Sequence, residues 1–208
     1  MNKKHKYTIF ETFVGAGGSH LGFKTQGFAA RYVNDFCNEC LQTLLYNNPE
    51  LKTEAFVDNT SILDIDLQLI SKKTGLKKGE LDVLFGGIVC KGFSLAGERS
   101  PNDERNYFYR KQLEIVEKFR PKISIIENVP GIQHAEVIKD NTPIEIKDEI
   151  NKLWQELENY KGQKANLRKN NAITKDFEQK GASLRKQKED FLNKLKKNSY
   201  LVSVIDDI

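Results

Sequence analysis

Apolar residues come in short runs over the first 130 or so positions of the chain and in a helical rhythm afterwards. Residues 7–14 form an apolar run that reads as a buried strand. It ends in Gly15-Ala16-Gly17-Gly18, with Gly22 and Phe23 just beyond. Residues 29–34 read as a second strand, and 39–46 as a helix stopped by Asn47-Asn48-Pro49. A third candidate strand covers 54–57 and a helix 63–71. Residues 81–85 form a strand closed by Gly86-Gly87, and 107–119 carry Phe108, Leu113, Ile115, Val116 and Phe119 at helical spacing. Another strand, 122–126, runs into Glu127-Asn128-Val129-Pro130-Gly131. Strands alternating with helices predict an α/β fold, a Rossmann-like parallel sheet with helices on both faces. Ligands of such sheets bind at the carboxyl ends of the strands. The glycine turn, Asn34-Asp35, Cys90 and Glu127 each follow a predicted strand and should meet there.

From about residue 144 to 197 the texture changes. Proline is absent after Pro143, polar residues dominate, and apolar ones recur at Leu153, Leu157, Tyr160, Phe177, Leu184, Phe191 and Leu195. This predicts two long helices, arranged as an antiparallel hairpin broken near Asn170-Asn171 or Gly181. Residues 200–205 are strand-like. The expected organisation is a cofactor-binding and catalytic core at 1–134, a Lys-rich helical insertion at 135–198, and a strand returning to the core at 199–208.

Charge sharpens that division. The formal net charge is only +4, but residues 151–200 hold 13 Lys or Arg against 6 Asp or Glu. Basic character concentrated in one segment suits a surface that meets polyanions. No apolar run approaches the length of a membrane span, and Met1 to Lys6 is polar and basic rather than a leader. A soluble, cytosolic protein with no membrane partner is expected. The three cysteines, Cys37, Cys40 and Cys90, argue against a disulfide framework. Cys37 and Cys40 form a lone C-x-x-C without a second ligand pair, so no metal is expected; they read as two half-buried residues on one helix turn.

The chemistry lies in the loops after the strands. In Phe13-x-Gly15-x-Gly17-Gly18 the glycines tolerate positive φ and let a ligand approach the main chain, and the helix start beyond offers free N–H groups. Alone, this turn suits a cofactor or a purely structural role. Asp35, 17 residues after Gly18, stands where a carboxylate commonly takes ribose hydroxyls, or it caps the next helix. Phe36 can stack on an adenine ring or belong to the core, and Asp58 can accept from the adenine amino group. Cys90, in Gly86-Gly87-Ile88-Val89-Cys90-Lys91-Gly92-Phe93-Ser94, is a candidate nucleophile in a loop, with Lys91 beside it to favour the thiolate. Its alternative is an inert buried thiol. Glu127, leaving an apolar strand, can hold or donate a proton near neutrality, or serve as a helix cap or salt-bridge partner.

The ordered set Phe13-x-Gly15-x-Gly17-Gly18-x-x-x-Gly22-Phe23, Asn34-Asp35-Phe36, Gly86-Gly87-x-x-Cys90-x-x-Phe93-Ser94-x-x-Gly97, Arg105 and Glu127-Asn128-Val129 resembles the DNA cytosine-5 methyltransferases. The likeness covers residues 7 to about 134 and, weakly, the last nine. It implies S-adenosyl-L-methionine as cofactor and double-stranded DNA as partner, with the target cytosine flipped into the site. Cys90 would then attack the ring carbon next to the one methylated, and Glu127 would hydrogen-bond or protonate the neighbouring ring nitrogen. Asn128 would position Glu127 and the cysteine loop, and Arg105 would contact DNA or the flipped nucleotide. Phe13, Gly15, Gly17 and Gly18 would hold the methionine part of the cofactor, Asp35 its ribose and Asp58 its adenine.

Three departures from the family pattern stand out. Val89-Cys90-Lys91 replaces Pro-Cys-Gln, which removes a fixed φ and an amide, while Lys91 offers a phosphate contact. No Gln-x-Arg-x-Arg segment or target recognition region follows, so a second polypeptide carrying them is the expected partner. The basic helical stretch is longer than the family usually has. The alternatives are a truncated remnant that binds S-adenosylmethionine, or a module whose hairpin holds nucleic acid or a partner. A dinucleotide oxidoreductase would explain the glycine turn but neither Cys90 nor Glu-Asn-Val.

Overall fold

The computed structural model describes residues 7–88 and 100–208. They divide between two compact units, one of residues 7–88 with 107–128, the other of residues 100–106 with 129–208.

In the first unit, among the described residues, five strands form one sheet: β1 (Tyr7–Thr12), β2 (Phe28–Asn34), β3 (Phe56–Asp58), β4 (Val83–Gly87) and β5 (Ile123–Glu127), in the order β3-β2-β1-β4-β5. Every pairing is parallel. Helices α1 (Gly18–Thr25), α2 (Asn38–Asn47), α3 (Leu51–Glu54), α4 (Leu67–Thr74) and α5 (Phe108–Phe119) belong to this unit. Alternate residues of the strands feed two cores, as the period of a strand requires. Ile9, Val33 and Val83 pack with Leu41 and Leu44 of α2; Phe10, Tyr32 and Leu84 pack with Ile70 of α4 and Ile115 and Phe119 of α5. The expected α/β sheet with helices on both faces is therefore present.

Local chemistry explains where the boundaries moved. The helix expected over 63–71 is two pieces, because Asp66 is its true cap: Oδ1 accepts from the N–H groups of Gln68 and Leu69, and the helix ends at Gly75 with φ +70°. Ile62–Asp64 forms a separate 3₁₀ turn capped by Ser61. The chain restarts a helical turn after Pro49, so β3 begins at Phe56 rather than at residue 54. Gly86 and Gly87 do not close β4 but belong to it. A Cβ at Gly86 would overlap the side chains of Gln112 and Thr12, so glycine there lets α5 lie against the sheet. Gln112 is buried and donates through Nε2 to the carbonyl of Ile125 at 2.8 Å. The burial expected of an apolar parallel strand fails at β5, which lies at the sheet's edge: Ile123 is 56% and Ile125 39% exposed.

The second unit contains β6 (Glu136–Ile138), α6 (Ile144–Lys169), α7 (Lys175–Lys197), β7 (Leu201–Ser203) and α8 (Val204–Asp207). Helices α6 and α7 are the expected antiparallel hairpin. The break falls at Asn170–Asn171, where Asn171 takes φ 51° and Thr174 caps α7 by accepting from the N–H of Phe177; Gly181 lies inside α7. The final strand does not return to the core sheet. β7 pairs antiparallel with β6, Val202 opposite Val137, in a sheet of its own. Among the described residues no helix is long and apolar enough to cross a membrane.

Candidate functional site

Parallel pairing sets Thr12 beside both Asn34 and Gly86, Asn34 beside Asp58, and Gly87 beside Glu127. The carboxyl ends of all five strands therefore share one edge, and Phe13, Asp35, Asp58 and Glu127 lie on it. Cys90, with the rest of residues 89–99, lies outside the described residues.

The turn after β1 is built from unusual backbone. Phe13, Gly15 and Gly17 take φ 55°, 55° and 98°. Only at Phe13 does this conformation carry a steric cost, a form of strain that accumulates at functional sites. Its ring stacks on Phe108 with centroids 5.9 Å apart. A Cβ on Gly17 would come within 2.5 Å of Leu44, so this glycine also lets α2 approach. Gly17 caps α1 without any side-chain acceptor, leaving the start of α1 to backbone chemistry alone. Asp35 clasps the turn: Oδ2 accepts from the Gly15 N–H at 2.8 Å, and Oδ1 from the Cys37 N–H at 2.9 Å. Both sequence alternatives for Asp35 meet here, since it restrains the start of α2 while facing the turn. Phe36 is 70% exposed, so it belongs to no core.

Asp58 is more committed than its sequence position suggests. Oδ2 accepts from the Tyr32 hydroxyl at 2.9 Å, and Oδ1 accepts from the Thr60 N–H at 3.0 Å and hydroxyl at 2.5 Å. Burial first, and the Asp58 carboxylate second, push the Tyr32 phenol far above its ordinary range. Asn34, buried, donates to the carbonyls of Asp58 and Thr60 at 3.1 and 2.8 Å, tying β2 to β3.

At the other end of the edge, Glu127 is exposed, with Oε2 close to Gly87. An apolar strand was expected to shelter it; as the terminal residue of an edge strand it faces solvent. Asn128 donates through Nδ2 to the carbonyl of Ile88 at 3.0 Å. That bond links the end of β5 to the segment leading toward Cys90. Arg105, in the second unit, is gripped by Asp103: Nε donates to Oδ1 at 2.7 Å and Nη2 to Oδ2. This hydrogen bonding holds the guanidinium pKa above its ordinary value.

Two features escaped the sequence reading. Glu11 of β1 is fully buried, its Oε2 2.7 Å from His20 Nδ1 and its Oε1 accepting from Ser19 at 3.2 Å. This carboxylate–imidazole pair links β1 to α1 beneath the glycine turn. The signal was present: a lone acid inside an apolar strand, two residues before Phe13, needs a partner. Cys37 and Cys40 were read as separate half-buried residues. Cys37 caps α2, its Sγ accepts from the Cys40 N–H at 3.3 Å, and the two sulfurs are in disulfide contact with Cα atoms 5.3 Å apart. A spacing of three at a helix start brings the side chains together.

Against known proteins, residues 7–158 match the family model for the C-5 cytosine-specific DNA methylase. The chain belongs to this family. Among its curated relatives is the Type II methyltransferase M.AgeI of Thalassovita gelatinovora, 40% identical over 122 residues. That stretch is 59% of this chain and 28% of M.AgeI. M.XorII of Xanthomonas oryzae pv. oryzae is 30% identical over 62% of this chain and 30% of its own length. M.AquIA of Picosynechococcus sp. is 32% identical over 60% of this chain and 49% of its own. The chain thus spans from under a third to about half of the length of these relatives. A crystal structure of a candidate DNA modification methyltransferase encoded within a prophage of E. coli superposes with a TM-score of 0.50. It covers 61% of this chain and 33% of that one at 24% identity, a likeness of fold.

Proposed function

We propose that this chain is the catalytic part of a DNA cytosine-5 methyltransferase, acting on a cytosine flipped from double-stranded DNA. Family membership supports the reaction class. The local observation that carries the reading is the Asn128–Ile88 bond, which brings the Glu127-Asn128 strand end to the start of the Cys90 segment. The residues at the other half of the edge fit S-adenosyl-L-methionine. The turn leaves Phe13, Gly15 and Gly18 at least partly open to a ligand while Gly17 is buried against α2, Asp35 stands beside it, and the ring of Phe36 is open for stacking. Asp58 then serves adenine only through lone pairs not already given to Tyr32 and Thr60. The bound cofactor supplies an electrophilic methyl group.

The chain's own residues do the rest. The Cys90 thiolate forms a bond to cytosine C6 while Glu127 hydrogen-bonds or protonates N3, so the ring electrons gather at C5 rather than on a bare anion. After C5 is methylated, loss of the C5 proton expels the Cys90 thiolate. Asn128 keeps Glu127 and the Cys90 segment together. Arg105 reaches DNA with its charge already steadied by Asp103.

DNA recognition is assigned to a second polypeptide. The exposed apolar edge of β5 supports this: an open edge in a parallel α/β sheet is a template for further strands. The names of the Type II relatives support a restriction-modification role. The test is transfer of a labelled methyl group from S-adenosylmethionine to unmethylated DNA, by the chain alone and with the product of the adjacent reading frame. Cys90→Ser serves as control. Incorporation that needs the partner and vanishes in the serine variant establishes the split enzyme. No incorporation by a folded protein in any combination leaves an inactive remnant or a binding module.

A further inference from the structure

The hairpin separates its charges along its length. Residues 144–160 hold two Lys or Arg against five Asp or Glu; residues 161–188, which include the turn between the helices, hold nine against two. The helices run antiparallel, with Glu149 3.3 Å from Lys194, Lys188 over the Trp154 ring at 5.5 Å, and Tyr160 stacked on Phe177 at 4.5 Å. The basic residues therefore gather in the half that includes the turn, and most of them lie beyond residue 158, where the family match ends.

Within the basic half, a cavity of about 420 Å³ opens between the two helices. Lys161 and Lys164 line it from α6, Arg185 and Lys188 from α7, and no acid is among its lining residues. Tyr160 also lines it, only 8% exposed, and its hydroxyl has no hydrogen-bond partner among the described residues. An unpartnered buried hydroxyl costs roughly 1–3 kcal/mol, so a ligand oxygen there removes a penalty already present. Gly181 lets α7 lie against Tyr160: a Cβ at that position would overlap the Tyr160 ring and hydroxyl. Four cations around one buried donor match an anion with several equivalent oxygens.

We propose that the basic half of α6–α7 is a phosphate-binding arm for the backbone of double-stranded DNA. One phosphate seats in the cavity between Lys161, Lys164, Arg185 and Lys188, accepting from the Tyr160 hydroxyl. The inference rests on the reading of this chain as an enzyme of DNA. Contacts of this kind hold and orient a duplex without reading its sequence, and they leave base recognition to other parts.

The test is binding of the full chain to a fluorescent duplex of dA·dT, which contains no cytosine to engage the methylation site, over a series of salt concentrations. In K161E/R185E, whose substituted residues are both exposed, affinity at low salt should drop at least tenfold. The slope of log K against log salt should shrink by about 0.9, because both residues hold the one phosphate of the cavity. Tyr160→Phe keeps the ring stack and removes the hydroxyl; it should weaken binding about fivefold, in line with one hydrogen bond. Unchanged helicity by circular dichroism and unchanged S-adenosylmethionine binding should accompany both variants. Wild-type affinity and salt slope in a folded K161E/R185E would overturn the proposal, as would preference for polyglutamate over the duplex, which would mark a surface for an acidic protein. Methyl transfer is scored separately, so failure of the catalytic reading leaves dA·dT binding intact, and failure of the arm leaves S-adenosylmethionine binding intact.

Discussion

In the parallel-sheet unit three carboxylates turn inward and are held by groups of fixed geometry: Asp35 by two main-chain N–H groups, Asp58 by Tyr32 and Thr60, Glu11 by His20 and Ser19. In the half of the hairpin that includes its turn the charged groups turn outward on long side chains and are mostly of one sign. The first arrangement fixes atoms to within fractions of an ångström, as positioning a small cofactor demands. The second builds a field that reaches about a Debye length and tolerates imprecise contact, as a polymer of phosphates allows. Substitutions should therefore act through local structure in the sheet unit and through salt dependence in the hairpin.

The largest effect should come from Cys90→Ser, which by removing the nucleophile should lower labelled methyl transfer by at least about 10³-fold with the fold intact. A smaller loss in a folded variant would remove Cys90 from the chemistry. Next, His20→Ala leaves the buried Glu11 side chain without its imidazole partner, which should cost about 3–5 kcal/mol in urea unfolding. A cost below about 1 kcal/mol would show that the pair adds little to the fold. Asp35→Ala removes the acceptor for two N–H groups and should cost about 2 kcal/mol. It should also weaken S-adenosylmethionine binding measured by calorimetry about tenfold; loss of stability with binding unchanged would make Asp35 purely structural.

Two glycine substitutions sharpen the contrast between the units. Gly86→Ala drives a methyl group into Gln112 and Thr12, and Gly181→Ala drives one into Tyr160. Each should destabilise by about 1–3 kcal/mol through overpacking. In thermal unfolding followed with both methyl transfer and dA·dT binding, the first should harm methyl transfer more and the second duplex binding more. Equal harm to both readouts would mean that the units do not act separately.

The smallest effect is a pH dependence at the opposite end of the sheet. The hydrogen bond from Lys122 holds the Asp82 carboxyl below its ordinary range, against the opposing effect of burial, and the Thr8 N–H adds to it. A depressed acid adds stability above the pKa of the unfolded chain and loses it as pH falls through the folded value. Wild type should exceed Asp82→Asn in stability at neutral pH, and the gap should close in acid. Because Lys122 is largely exposed, salt should shrink the difference.

Sequence pattern by itself determined the alternation of strands and helices, the edge that Phe13, Asp35, Asp58 and Glu127 share, and the hairpin with its positive charge. These depend on periodicity, on glycine's freedom and on composition, all local properties of the chain. The family followed from several short motifs in order. Tertiary structure alone decided who holds whom. Glu11 and His20, Asn128 and Ile88, and Tyr160 and Gly181 meet only because elements pack, and no local rule couples residues so far apart in environment. It also decided that β5 lies at the edge, so that an apolar strand and its Glu127 face solvent, and that β7 pairs with β6 instead of the core sheet. Strand order depends on which faces and edges the rest of the chain covers, a global competition for burial that an alternating pattern does not encode.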